Sequence, residues 1–412
     1  MSVQSRISEL KSIVDPDCEI LTDPADVNFQ EYSKRWTNVG REIPAAIVLP
    51  RREEDIRKIV QWAVKSSIPF VAKSGGCSEW STIGDNGFVL DLTHYSAIEV
   101  DAKAHTATVR GSVVQKEVAV RLAEEGLFTG EEHDPAFGVI NFHPLGNGNV
   151  VGVTGYVLGG GSAITNSITG FGSDQIISAR LVTAKGELLD ITQDLQPDLL
   201  WALRGAGQFF GLVTQLVIKA YPLSLLGSEN GTVWAGGIVF PLDRAKEVAL
   251  VMKSLMDDSR FATSGLIMTM APPPARKPSL VISARYTGDP ANAEEAYKPL
   301  YNLKPLVANG AQVPIQNISD GREAIGAKGD FKRFGIVGLR RFDIDSFLKT
   351  IEVWKQLVAE CPDAINTAFN FQWDSRQVKT PAFDSAMCLH DTRFYQYVCC
   401  STNVVLRLRF CT

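Results

Sequence analysis

The sequence predicts an α+β fold in two parts that divide near residue 225. Two observations carry this reading. Over 40–224, short apolar strand-like runs alternate with segments of helical period and are interrupted by two glycine-rich runs. After 225 the pattern resets to strands paired with helices, as in a sheet covered by helices on one face.

Residues 1–39 read as a preface of helix and loop. An apolar run at 43–49 ends at Pro50, and 51–66 then has helical period. Glu53, Glu54 and Asp55 fall in the first turn of that helix, where the dipole favours acids. Ile56, Val60, Ala63 and Val64 make its apolar face. Strands follow at 68–72, 88–92 and 106–109, and 113–125 returns to helical spacing. Residues 176–184 and 187–191 read as a hairpin turned at Lys185-Gly186. A short helix at 197–203 and a strand at 211–220 complete the first part. In the second part, strands are predicted at 233–240, 266–271, 280–286 and 367–373. Helices are predicted at 243–256, 291–301 and 344–360. The boundary of this part is set at 398, leaving 399–412 as an atypical tail.

Composition narrows the function classes. The chain has 412 residues, 45% hydrophobic and 21% charged, with a net charge of −5. That balance suits a globular enzyme and argues against a nucleic-acid binder, which carries a basic surplus. No apolar run reaches the length of a membrane span, and the N-terminal stretch lacks the apolar core of a signal peptide. A cytoplasmic protein without membrane partners is the expectation. Seven scattered cysteines, an odd number without metal spacing, read as reduced thiols. His133 and His143 lack a third ligand, so no metal is expected. Oligomeric state cannot be read.

The chemistry lies in the glycine runs. Lys73-Ser74-Gly75-Gly76-Cys77-Ser78 follows a strand. Its two glycines let successive backbone N–H groups converge on an anion. Lys73 adds charge, and Ser74 and Ser78 add hydroxyls. The second run is Gly152-Val153-Thr154-Gly155-Tyr156-Val157-Leu158-Gly159-Gly160-Gly161. Neither run matches the dinucleotide fingerprint of a βαβ unit.

Taken with Gly84, with 198–205 (Asp-Leu-Leu-Trp-Ala-Leu-Arg-Gly) and with 210–214 (Phe-Gly-Leu-Val-Thr), the runs resemble the FAD-linked oxidases of the vanillyl-alcohol oxidase superfamily. The likeness is to the berberine-bridge-enzyme-like and 6-hydroxynicotine-oxidase-like branch of fungal secondary metabolism. It implies a PCMH-type FAD-binding domain of two subdomains over 40–224 and a substrate domain with an antiparallel sheet over 225–398. By position it assigns Lys73, Ser74, Gly75, Gly76, Cys77, Ser78 and Gly84 to the FAD from one subdomain. From the other it assigns Thr154, Gly155, Gly159, Gly160, Gly161, Ser162 and Val213. Trp201 and Arg204 are implied to be structural.

The departures shape the expectation. The family carries a flavin-bonded His where this chain has Cys77, so non-covalent FAD is expected. Gly148 stands where the bicovalent branch has a second anchor. Residues 131–145 read as an insertion, and 399–412 match nothing in the family. The implied reaction moves a hydride from a small organic metabolite to FAD, with reoxidation by dioxygen. His390, Tyr395 and Tyr397 are the candidate bases. The alternative is a truncated or non-catalytic flavin-fold protein from a defective gene model.

Overall fold

A computed structural model of the chain describes residues 3–130, 148–228, 230–320 and 327–402. The 131–145 insertion, with His133 and His143, and residues 403–412 lie outside the described residues. Among the described residues, no helix is long and apolar enough to cross a membrane.

The first subdomain contains helices α1 (Val3–Ile13), α2 (Val27–Tyr32) and α3 (Glu53–Ser66) with strands β1 (Glu19–Leu21), β2 (Ala46–Leu49), β3 (Phe70–Lys73) and β4 (Phe88–Asp91). The sheet order is β1-β2-β4-β3, and β4 pairs in parallel with both β2 and β3. Parallel neighbours need a crossover, and α3 supplies it between β2 and β3. Ile56, Ile59, Val60, Trp62 and Ala63 form its buried face, and Ser67 ends it in the left-handed region at φ 53. The parallel pairing brings the end of β3, and so the first glycine run, beside Asp91 at the end of β4.

The second subdomain is an antiparallel sheet of order β5-β6-β10-β8-β9. Its strands are β5 (Ala97–Asp101), β6 (Thr106–Arg110), β8 (Ile176–Val182), β9 (Leu188–Ile191) and β10 (Leu212–Lys219). Helices α4 (Gln115–Glu124), α5 (Val153–Leu158), α6 (Asn166–Thr169) and α7 (Pro197–Ala206) belong to this half, and α4, α5 and α7 share a core with the sheet. The predicted 197–203 helix extends to Ala206 through non-helical dihedrals at Arg204 and Gly205. A small pair, β7 (Leu127–Phe128) with β11 (Tyr221–Pro222), follows the same half.

The last part is a seven-stranded antiparallel sheet of order β15-β12-β14-β13-β17-β18-β16. In chain order these are β12 (Thr232–Pro241), β13 (Thr263–Met270), β14 (Ser279–Tyr286), β15 (Val307–Pro314), β16 (Phe331–Leu339), β17 (Ala368–Asp374) and β18 (Phe394–Thr402). Helices α8 (Ala245–Asp257), α9 (Ala293–Asn302) and α10 (Ile344–Glu360) cover one face. The core there joins Met252, Tyr297 and Trp354 to Ile267, Ile282 and Phe371 of the strands. Strands β13 and β14 are buried at every position because both faces are covered. The opposite face, with Leu266, Met268, Val281, Tyr395 and Tyr397, packs with Phe171 from the cofactor half. Strand β18 runs through 399–402, so the sheet continues past the predicted boundary at 398.

Candidate active site

The two glycine runs meet back to back. A Cβ added at Gly75 would lie 2.6 Å from the Gly152 nitrogen and 2.7 Å from the Val150 carbonyl oxygen. One added at Gly152 would lie 2.1 Å from Ser74 Oγ and 2.7 Å from the Gly75 nitrogen. Only glycine permits two backbones this close. Gly152 opens the second glycine run, but the sequence reading gave it no role. Its partner is 77 positions away, and no local signal reports such a contact.

Beside this junction is a cavity of about 640 Å³. Lys73, Ser74, Gly75, Gly76, Cys77, Ser78, Thr154, Gly155, Gly159 and Val213 of the predicted set line it. Tyr156, Gln208, Leu212 and Trp80 also line it and were not predicted. Gly84, Gly160, Gly161 and Ser162 lie off the lining. Gly84 packs near Glu42 and Asn86, Gly160 against Met387, and Gly161 against the Tyr156 ring. Ser162 turns to the sheet, where its hydroxyl accepts from Gln372 Nε2 at 3.2 Å and from Asn166 Nδ2 at 3.2 Å.

Lys73 does not serve as expected. Its ammonium donates to Asp91 Oδ2 at 2.7 Å and to the Tyr32 carbonyl at 2.6 Å. The two side chains are 5% and 0% exposed. The charge is therefore spent in a buried pair, and the anion-binding capacity of the run rests on its backbone. No Asp or Glu is among the described lining residues, which suits a polyanion. The Ser74 hydroxyl is buried without a partner, a donor that a phosphate oxygen would satisfy. An added Cβ at Gly155 meets nothing within 4 Å, so the wall is open there. This chemistry fits an elongated dinucleotide diphosphate.

A family model described as FAD binding domain matches residues 44–192, across both subdomains and both glycine runs. Curated relatives agree. FAD-linked oxidoreductase hasG of Aspergillus fumigatus is 28% identical over 83% of this chain and 70% of its own length. FAD-linked oxidoreductase OXR1 of Pyricularia oryzae is 27% identical over 93% of this chain and 72% of its own.

The chain is an FAD-linked oxidoreductase with an FAD-binding domain.

The fold of the oxidoreductase matches that of 6-hydroxy-D-nicotine oxidase from Arthrobacter nicotinovorans. The TM-score is 0.77 at 20% identity, over 95% of this chain and 82% of the other. A Physcomitrella patens BBE-like protein gives 0.77 at 14% identity, over 97% and 84%.

In this oxidoreductase Cys77 Sγ lies 3.7 Å from the Val150 carbonyl oxygen. Burial pushes its thiol up to about 11, against the smaller opposing effect of Lys328 and Lys332. Only the thiolate is nucleophilic, and at pH 8 roughly one thiol in a thousand would be ionised. Alkylation by iodoacetamide at pH 8 is therefore expected to be far slower in the folded protein than after unfolding. Peptide mass mapping of Cys77 checks this.

The candidate bases share one region. Cross-strand register sets Tyr397 opposite Asn370, Asn370 opposite Met268, and Met268 opposite Val281. The Tyr397 hydroxyl donates to Gln372 Oε1, and so reaches Ser162 beside the second glycine run. The Tyr395 hydroxyl donates to the Thr392 carbonyl at 3.2 Å and packs. His390 Nε2 lies 3.0 Å from both oxygens of Asp174. Burial raises the Asp174 carboxyl, opposed by the His390 hydrogen bond and the Phe171 N–H. The link between β17 and β18 thereby straps the sheet to the cofactor half. Within it Ala386 N donates to the Trp201 carbonyl at 3.2 Å, and Trp201 Nε1 donates to Asp384 at 3.1 Å. Arg204 stacks on Phe383 at 3.9 Å and donates to the Ile176 carbonyl at 2.7 Å. Both residues act structurally.

Asp374, at the end of β17, pairs in register with Ser264. Burial pushes its carboxyl up to about 6 from the ordinary 3.8, against Arg376, Ser167 and Arg393. Between these values the native state holds a proton that the unfolded chain has released. Stability is therefore expected to fall as pH rises from about 4 to about 6 and then to level. Asp374→Asn is expected to flatten that slope, measured by urea unfolding at pH 4.5 and pH 7.

Proposed function

We propose that the oxidoreductase removes a hydride from a C–H bond beside a hydroxyl or amine of a small organic metabolite in secondary metabolism. Its FAD is non-covalent, and dioxygen is the final oxidant. The observation that carries the reading is the cavity at the glycine junction, free of carboxylates in its described lining, next to a sheet face bearing Tyr397, Gln372 and Asn370. FAD, when bound, supplies the hydride acceptor. The chain's part is to hold it and to orient the substrate. The N–H groups of 74–78 would carry the diphosphate, with Thr154, Gly155 and Gly159 along its length and Val213 on the adenine side. The sheet face would position the substrate and exclude water.

Of the three candidate bases, His390 is favoured for taking the substrate proton. Its Nε2 is held by a buried carboxylate, an arrangement that orients imidazole to accept a proton at its other nitrogen. The structural neighbours include chitooligosaccharide and xylooligosaccharide oxidases as well as the nicotine oxidase. Fold does not choose among such substrates.

Two measurements test the reading. Acid precipitation of the yellow protein is expected to leave the flavin in the supernatant; a yellow pellet whose flavin peptide contains Cys77 would overturn the non-covalent assignment. Anaerobic mixing with candidate metabolites is expected to bleach the oxidised flavin, more slowly in His390→Gln. A flavin that never bleaches across alcohols and amines would favour the non-catalytic alternative.

A further inference from the structure

One wall of the glycine-junction cavity can be followed residue by residue. Leu212 and Val213 lie on β10, and the next carbonyl, that of Thr214, accepts from the Gly111 amide at 3.4 Å. The neighbouring Ser112 hydroxyl donates to the Lys73 carbonyl at 3.1 Å, at the start of the first glycine run. The run then leads away. Gly75 meets Gly152 and Val150, and Cys77 Sγ lies 3.7 Å from the Val150 carbonyl oxygen. Beyond Cys77 the wall continues to Trp80 and Ser81. Val213 is thus set beside the start of the run, and Trp80 lies past its finish.

Trp80 is 73% exposed, the most exposed tryptophan among the described residues. The turn beneath it is pinned. Trp80 N donates to Ser78 Oγ at 3.0 Å, and Ser81 N donates to the Ser78 carbonyl at 3.3 Å. From behind, buried Arg35 donates to the Glu79 carbonyl at 2.7 Å, and Glu42 N donates to the Thr82 hydroxyl at 2.9 Å. The backbone therefore holds the indole at the cavity while little of the chain covers it. Single exposed apolar side chains are ordinary on a surface. This one differs because it lines a cavity and carries a large apolar face.

The other aromatic residue in the described lining is already engaged. Tyr156 packs its ring against Gly161, and its hydroxyl donates to the Ser162 carbonyl at 2.5 Å. Among the described lining residues, Trp80 is thus the aromatic surface left for a ligand.

We propose that Trp80 is a positioning residue that covers the isoalloxazine ring of the FAD where the cavity opens to solvent. The inference rests on the FAD placement proposed above. With the adenine beside Val213, the flavin ring belongs past the finish of the glycine run. A planar ring laid on the indole takes apolar surface of both out of water. Such a contact would do by packing what a covalent bond from Cys77 would otherwise do.

Time-resolved flavin fluorescence of the FAD-loaded protein tests this, with the free FAD that passes an ultrafiltration membrane as the measure of Kd. An indole touching an isoalloxazine quenches it by lending an electron to the excited ring, and a phenyl ring does not. The fastest decay of the bound flavin is therefore expected in the parent and lost in both Trp80→Phe and Trp80→Ala. Trp80→Ala is expected to raise the FAD Kd roughly tenfold, and Trp80→Phe less, because it keeps an aromatic face. The side chain is exposed, so circular dichroism of both variants should match the parent. Decay unchanged in both variants overturns the proposal, and does so even where Kd rises, since the indole would then touch the adenine end. A parent chain that takes up no FAD overturns the reading beneath it as well.

Discussion

Gly75→Ala is expected to purify as a colourless protein. The added methyl would sit 2.6 Å from the Gly152 nitrogen and 2.7 Å from the Val150 carbonyl oxygen, both backbone atoms that cannot swing aside. The two glycine runs must separate, and the wall they form for the cofactor opens. Overpacking of this kind costs about 1–3 kcal/mol. The larger expected effect is on flavin content, because the N–H groups of 74–78 are proposed to carry the diphosphate. Gly155→Ala is the control. Its methyl meets no atom within 4 Å, so the protein folds as the parent does. The check is the flavin-to-protein absorbance ratio of the two variants with their urea midpoints. Equal flavin content in Gly75→Ala and the parent would refute the back-to-back junction as the cofactor wall.

Asp91→Ala is expected to destabilise the protein by about 3–5 kcal/mol, the cost when a buried ion pair loses one member. The Lys73 ammonium would keep only the Tyr32 carbonyl at 2.6 Å. Lys73→Met costs less, because Asp91 also accepts from the Thr93 amide at 3.0 Å and the Thr93 hydroxyl at 2.5 Å. The order of the two variants separates the buried pair from a phosphate role. Were the Lys73 charge spent on the cofactor, Lys73→Met would shed flavin at unchanged stability. Urea unfolding with flavin fluorescence as a second signal reads both quantities.

Much of this was legible in the sequence, for a physical reason. Helix α3 declares itself by acids in its first turn and an apolar face. Strands β13 and β14, covered on both sides, read as apolar runs. Strand β15 was not foreseen, since every residue of Val307–Pro314 is exposed or half-buried and burial leaves no alternation to find. Strand β16 escaped likewise: its exposed edge and two glycines erase the period-two signal. The glycine runs pointed to the cavity at which the cofactor is proposed to bind. The partners of Lys73, Gly152 and Ser162 did not show, because they are tertiary neighbours far away in the chain. Lys73 in particular looked like a free charge until β4 brought Asp91 to it.

The glycine loop is also clasped from outside. Trp36 N donates to the Gly76 carbonyl at 3.0 Å, and Gly329 N donates to the Arg35 carbonyl at 2.9 Å. The Thr37 hydroxyl donates at 2.7 Å to the carbonyl of Lys332, 295 residues downstream. During synthesis both glycine runs emerge well before that last contact can form. A nascent chain halted near residue 300 would own every backbone donor of the proposed cofactor cradle and still lack its fastening. On the proposed placement of the flavin, its capture is a late event, completed when the strand that starts beside Lys332 reaches back to the beginning of the chain.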